Sequence, residues 1–201
     1  MNSIDITALS QEDLAKLRNA VADIREWLNL KLKTGRCSFG FIVELALHQI
    51  SRSYSVYAIY DEIEALEGGI GRTSVTKPAG PFRGKILEGL WHKHHFQTTF
   101  IYRNLMLETT RPGALRKILA PHFGRDISEV AGQLAHALTM EAYQHRASGS
   151  RMTGEWIVFE REPGGHYYLT LGQHDEPDED LRKRVEAYRE ADRLLTTPKP
   201  P

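Results

Sequence analysis

Only one cysteine, Cys37, occurs in the 201 residues. That excludes an internal disulfide framework and any zinc site built from several thiolates, and leaves Cys37 as a small apolar residue. Excess charge of either sign is also missing, since 26 lysines and arginines balance 26 aspartates and glutamates. Net charge therefore gives no case for a polyanionic partner, although it leaves room for a local basic site. No apolar run approaches the ~18 residues of a membrane-spanning helix. The opening "MNSIDITALSQEDL" lacks the basic-then-apolar pattern of a secretion signal. A cytoplasmic chain with no membrane association is expected. With 41% hydrophobic and 26% charged residues, the composition is that of an ordinary globular protein.

Helical periodicity dominates the first third. In residues 10–33, Leu14, Leu17, Val21, Ile24, Leu28 and Leu32 recur at helical spacing, with Ser10 as N-cap and Asp13 three positions on. "TGRCS" breaks this helix. "FGFIVELALHQI" and "SYSVYAIYDEIEALEGG" predict two more, the latter with Ser53 as its cap and Gly68-Gly69 as its stop. His48 falls in an apolar stretch and reads as structural. Residues 1–67 thus form a helical segment. Residues 68–84 follow as a glycine-led linker or mobile loop, without the Lys-Ser/Thr ending of a phosphate-binding loop.

Residues 85–195 read as an α+β unit, with a tail at 196–201 expected to be disordered. Aromatics and threonines alternate over His94–Arg103, which predicts a strand. Two helical stretches, "RPGALRKILAPHFG" and "DISEVAGQLAHALTMEAYQHRA", come next. "GEWIVFEREPGGHYYLTLGQH" predicts a β-hairpin turning at "EPGG". "DEPDEDLRKRVEAYREADRLL" closes as a helix with acids gathered at its positive end. The expected architecture is α+β: an N-terminal helical segment, then a small antiparallel sheet with packed helices.

The chemistry-bearing residues concentrate in "LWHKHHFQTTFIYR". On a strand, His92 and His94 share one face, while Lys93 and His95 share the other. His174 ends the last strand and can meet the first pair if the strands are neighbours. Histidine titrates near neutrality, so two of them can serve as base and acid in one displacement. RNA supplies its own nucleophile, the 2′-hydroxyl. His92, His94 and His174 are therefore the candidate catalytic groups. Lys93, Arg103 and Arg161 are candidates for phosphate, and Tyr102 and Tyr167 for contacts with a base.

The two segments "KILEGLWHKHHFQTTFIYR" and "EWIVFEREPGGHYYLTLGQH" resemble the sheet of small RelE/ParE-type ribonuclease toxins, and more broadly of barnase-like and EndoU-like nucleases. The resemblance is one of hydrophobic rhythm over about 90 residues, not of a fixed motif. Residues 112–147 stand as a long helical insertion, and the basic excess usual in such toxins is missing. It implies a metal-independent ribonuclease of toxin or defence type, needing no cofactor, with catalytic roles at His94, Arg161 and His174. RNA is the implied substrate. Two alternatives accompany this reading. One is a metal-dependent hydrolase on His92, His94 and His174, or Asp175 in place of the last. The other is a non-enzymatic module that binds a protein partner or inhibitor through the N-terminal helices.

Overall fold

The computed structural model describes residues 10–68, 74–97 and 100–196, leaving out the side chains of Tyr102 and of 127–129. Helix α1 (Gln11–Lys31) starts where Ser10 Oγ accepts the amide of Asp13 and returns a bond to its carboxylate. Its stripe of Ala20, Ile24 and Leu28 is buried, with Leu17, Val21 and Leu32 packed alongside. The "TGRCS" break then does something periodicity does not announce. Arg36–Cys37 forms a short strand, β1, held by the Glu67 carboxylate, which accepts the amides of Lys33, Thr34 and Gly35. Helices α2 (Phe39–Ser51) and α3 (Val56–Leu66) follow. The cap position of α3 is Ser55 rather than Ser53. Ser53 instead bonds the buried His48 ring at 2.7 Å, a structural role for that histidine.

Strands β2 (Gly80–Pro81), β3 (Trp91–His95), β4 (Glu155–Glu162) and β5 (Gly165–Gly172) complete a five-stranded sheet of order β1-β5-β4-β3-β2. The β1–β5 pair is parallel and the others antiparallel. The β4–β5 hairpin turns at Pro163-Gly164, as "EPGG" predicts. Register pairs Val158 with Thr170 but Phe159 with Tyr168, so Leu169 is an extra residue in β5. That bulge lets Tyr168 and Leu171 face the same side despite their odd spacing.

Helices α1 to α3 cover one face through Ile157, Phe159, Tyr168 and Leu171. Helix α8 (Asp178–Thr196), through Leu181 and Val185, and the 82–90 loop cover the other, over Val158, Tyr167 and Leu169. The main core therefore draws on both sides of the glycine-led stretch. Buried Glu44 ties the two layers at one end: it accepts the Thr170 hydroxyl at 2.8 Å, the Leu171 amide at 2.8 Å and the Tyr188 hydroxyl at 3.0 Å. Burial raises the proton affinity of this carboxyl, and the neighbouring Arg184 opposes the shift. None of the described helices is long and apolar enough to cross a membrane.

One expected element is different. The strand stops at His95, and the chain re-enters helix at α4 (Ile101–Thr109). Two of the residues responsible for the strand reading, Thr98 and Thr99, lie outside the described residues. Asn104 is decisive on the helix side. Its amide donates to the carbonyls of Phe100 and Thr153 at 2.9 Å each, and its oxygen accepts the Thr153 amide at 2.8 Å. Its bond to Phe100 spans four residues, one helical turn, whereas an extended chain holds such positions about 13 Å apart. Helix α5 (Ala114–Leu119), a 3-10 turn (Ala120–His122), α6 (Ile127–His136), a π turn (Ala137–Glu141) and α7 (Ala142–Ser148) complete the insertion. Of the expected tail, 197–201 lie outside the described residues and Thr196 ends α8.

Candidate functional site

Strand alternation sorts the "HKHH" cluster as expected. Trp91, Lys93 and His95 face the α2–α3 layer, while His92 and His94 face the opposite side. The chain leaving β5 then brings His174 to that second pair. Ring centroids lie 5.5 Å apart for His92 and His94, and 5.3 Å apart for His94 and His174. Trp156, the cross-strand partner of His94, packs against His174 at 4.5 Å and His92 at 5.5 Å. Phe82 lies 4.6 Å from His92, and Phe100 lies 5.9 Å from His174. The result is a three-histidine patch walled by half-buried aromatic rings.

The orientation of His94 is fixed from behind. Its Nδ1 lies 2.9 Å from the Gly154 carbonyl, which can only accept, so Nδ1 carries the proton and Nε2 keeps its lone pair. Gly154 is required here, because a Cβ at this position would meet the His95 carbonyl oxygen at 1.9 Å. The Nδ1 of His174 lies 3.6 Å from Glu155 Oε2, the same oxygen that accepts the His174 amide at 2.9 Å. Three buried polar atoms of the patch, His92 Nδ1, His174 Nδ1 and Trp156 Nε1, have no hydrogen-bond partner among the described residues. Such atoms in a native interior call for a functional explanation.

Burial sets the protonation of the strand histidines. It pushes His92 down to about 4, with the charges of His174 and Lys77 adding to the effect. Burial likewise takes His94 to about 4, against the opposing pull of its bond to Gly154. Both rings are neutral at physiological pH and available as proton acceptors. Lys77 is an exposed cation within electrostatic reach of both.

The other expected site residues go elsewhere. Lys93 faces away from the patch, 4% exposed, with its ammonium 3.1 Å from Glu62 and bonded to Ser74, Thr76 and the Lys77 carbonyl. A phosphate at the histidines does not meet it. Arg161 lies over the Trp91 ring at 3.6 Å near the hairpin turn, five residues along β4 from Trp156 and so about 17 Å away. Tyr167 is buried under the Arg36 guanidinium and donates to Asp192 at 2.5 Å, which leaves no face for a base. Arg103 is exposed on α4 instead of on a neighbouring strand. Tyr102 is in the same helix, and its side chain is outside the described residues. The patch residues that sequence reasoning missed are Trp156, Phe82, Phe100 and Lys77. Strand register and loop packing bring them together, and neither leaves a local signal.

Among the described residues, no three histidine, cysteine or carboxylate side chains are arranged to hold a metal ion. Comparison with protein-family models, characterised proteins and solved structures found no match.

Proposed function

We propose that the three-histidine patch is the active site of a metal-independent ribonuclease of toxin or defence type, acting on single-stranded RNA. The observation that carries this reading is the meeting of His92 and His94 with His174 from a separate segment. His94 serves as base: its neutral Nε2 takes the proton of a 2′-hydroxyl as that oxygen attacks phosphorus. The bond to the 5′-oxygen breaks, and His174 supplies the proton that the leaving oxygen needs. The products are a 2′,3′-cyclic phosphate and a free 5′-hydroxyl. Lys77 is the nearby cation for the phosphate, taking the part that Lys93 and Arg161 cannot. The half-buried rings of Phe82, Phe100 and Trp156 offer stacking surfaces for an unpaired base.

Incubation of the protein with single-stranded RNA in excess chelator tests this reading. Cleavage should persist, and His94→Ala or His174→Ala should slow it by about two to four orders of magnitude. Loss of cleavage with chelator would favour a metal-dependent hydrolase on the same residues. Unchanged cleavage in a folded variant would remove that histidine from the mechanism.

A further inference from the structure

The insertion α4–α7 has a composition unlike the rest of the chain. Residues 100–151 hold seven basic residues (Arg103, Arg111, Arg116, Lys117, Arg125, Arg146, Arg151) and four acids (Glu108, Asp126, Glu129, Glu141), a net +3. The whole chain is neutral, so the remainder carries −3. The charge balance that argues against a polyanion globally thus conceals a basic segment.

Its arrangement sharpens this. Glu108 is buried and already surrounded by three guanidinium groups, Arg111 at 3.2 Å, Arg151 at 3.5 Å and Arg146 at 3.8 Å, with the His145 ring at 2.7 Å. One carboxylate neutralises only part of that charge. Arg103, Arg116 and Lys117 are exposed and form no ion pair among the described residues. A cavity of about 390 Å³ opens beside Lys117, with Glu108, Arg111, Glu141 and His145 also in its lining. The π turn Ala137–Glu141 forms part of its wall, and such turns concentrate at functional sites. The surface also adjoins the patch: Phe100 touches His174, and α4 begins at the next residue. From there the nine residues of α4 extend about 14 Å to the cavity.

We infer that the α4–α5 surface is the track for the RNA backbone, with Arg103, Arg111, Arg116 and Lys117 contacting successive phosphates beyond the scissile one. This rests on the reading of the histidine patch as an RNA-cleaving site. It moves the binding energy from the strands, where sequence reasoning sought it, to the insertion. The chemistry recognised is the phosphodiester backbone of a single strand, which carries no base specificity by itself.

The test is a salt series of binding to a short, labelled 2′-O-methyl RNA, which the proposed chemistry cannot cleave. The triple variant Arg103→Gln/Arg116→Gln/Lys117→Gln is compared with Lys16→Gln/Arg18→Gln/Arg25→Gln, which removes the same charge from α1. The slope of log affinity against log salt should flatten by about 2 in the α4–α5 variant, near 0.7 for each lost phosphate contact, with affinity falling about tenfold or more. The α1 variant should keep the wild-type slope. The three single α4–α5 variants, each expected to lose about 0.7 of slope, decide the matter if the triple variant does not fold. Wild-type slope and affinity in the α4–α5 variants would overturn the inference and leave the histidine reading standing. Failure of the wild-type protein to bind would remove both.

Discussion

The imidazole of His174 lies beside that of His94, centroids 5.3 Å apart, with the hairpin β4–β5 holding the two segments in place. This contact depends on Gly154, whose carbonyl orients His94 and whose missing Cβ leaves room for the His95 backbone. Catalysis in the proposed form therefore depends on a glycine that touches no substrate.

Gly154→Ala should destabilise the protein by about 3 kcal/mol, because the Cβ collides with backbone instead of a movable side-chain end. Denaturant melts measure this directly. A loss within error would mean that the β3–β4 pair is looser than described.

Three neutral histidines, His94 and His95 buried and His92 half-buried, make stability depend on pH. His92 and His94 sit near 4 and His95 near 3, each lowered chiefly by burial from the ordinary value of 6.5. Between these values and 6.5 the unfolded chain binds more protons. Stability is therefore fully present above about 6.5 and lost as pH falls toward 4 and then 3. Glu44, with its raised proton affinity, works in the opposite sense. His95→Gln removes one of the histidine contributions, so its melting temperature should fall less steeply over pH 6.5 to 4 than that of the wild type. Parallel curves would contradict the buried neutral assignment.

Lys93→Met should cost about 3 to 5 kcal/mol, because Glu62 is left charged and buried without its partner. The double variant Lys93→Met/Glu62→Leu should regain most of that loss. Urea denaturation of the three proteins checks both statements. A double variant no better than the single would show that Thr76 and Ser74, not the ion pair, account for the cost.

Asn104 joins α4 to the segment before β4 through two hydrogen bonds with Thr153, bonds the Phe100 carbonyl at the start of its own helix, and also accepts from Arg146 at 3.2 Å. Asn104→Ala leaves buried backbone groups unpaired, at about 2 to 3 kcal/mol. Hydrogen exchange should accelerate in 100–148 more than in β4 and β5. Uniform acceleration would mean that the insertion and the sheet unfold as one unit.

Much of the fold was legible where a pattern repeats locally. The α1 stripe ending in Leu28 and Leu32, the capped start at Ser10 and the hairpin around Pro163-Gly164 each carry a period or a turn signal. Strand alternation also correctly divided His92 and His94 from Lys93 and His95. Legibility failed where tertiary contacts decide. Nothing near Arg36–Cys37 announces a strand, because its partner Tyr167-Tyr168 and its clamp Glu67 lie far along the chain. Residues 100–103 looked like strand by aromatic alternation, but the Asn104 amide bonds the Phe100 carbonyl four residues back, which needs a helical turn. Lys93 and Tyr167 have the right chemistry for substrate contact, and only their burial against Glu62 and Asp192 withdraws them.

The most direct test of the central claim is the end-group produced from single-stranded RNA in chelator, measured with wild type and His94→Ala. The account predicts fragments ending in 2′,3′-cyclic phosphate from the wild type, formed at least about a hundredfold more slowly by the variant. Intact RNA with folded wild-type protein, or fragments with 5′-phosphate ends, would contradict it.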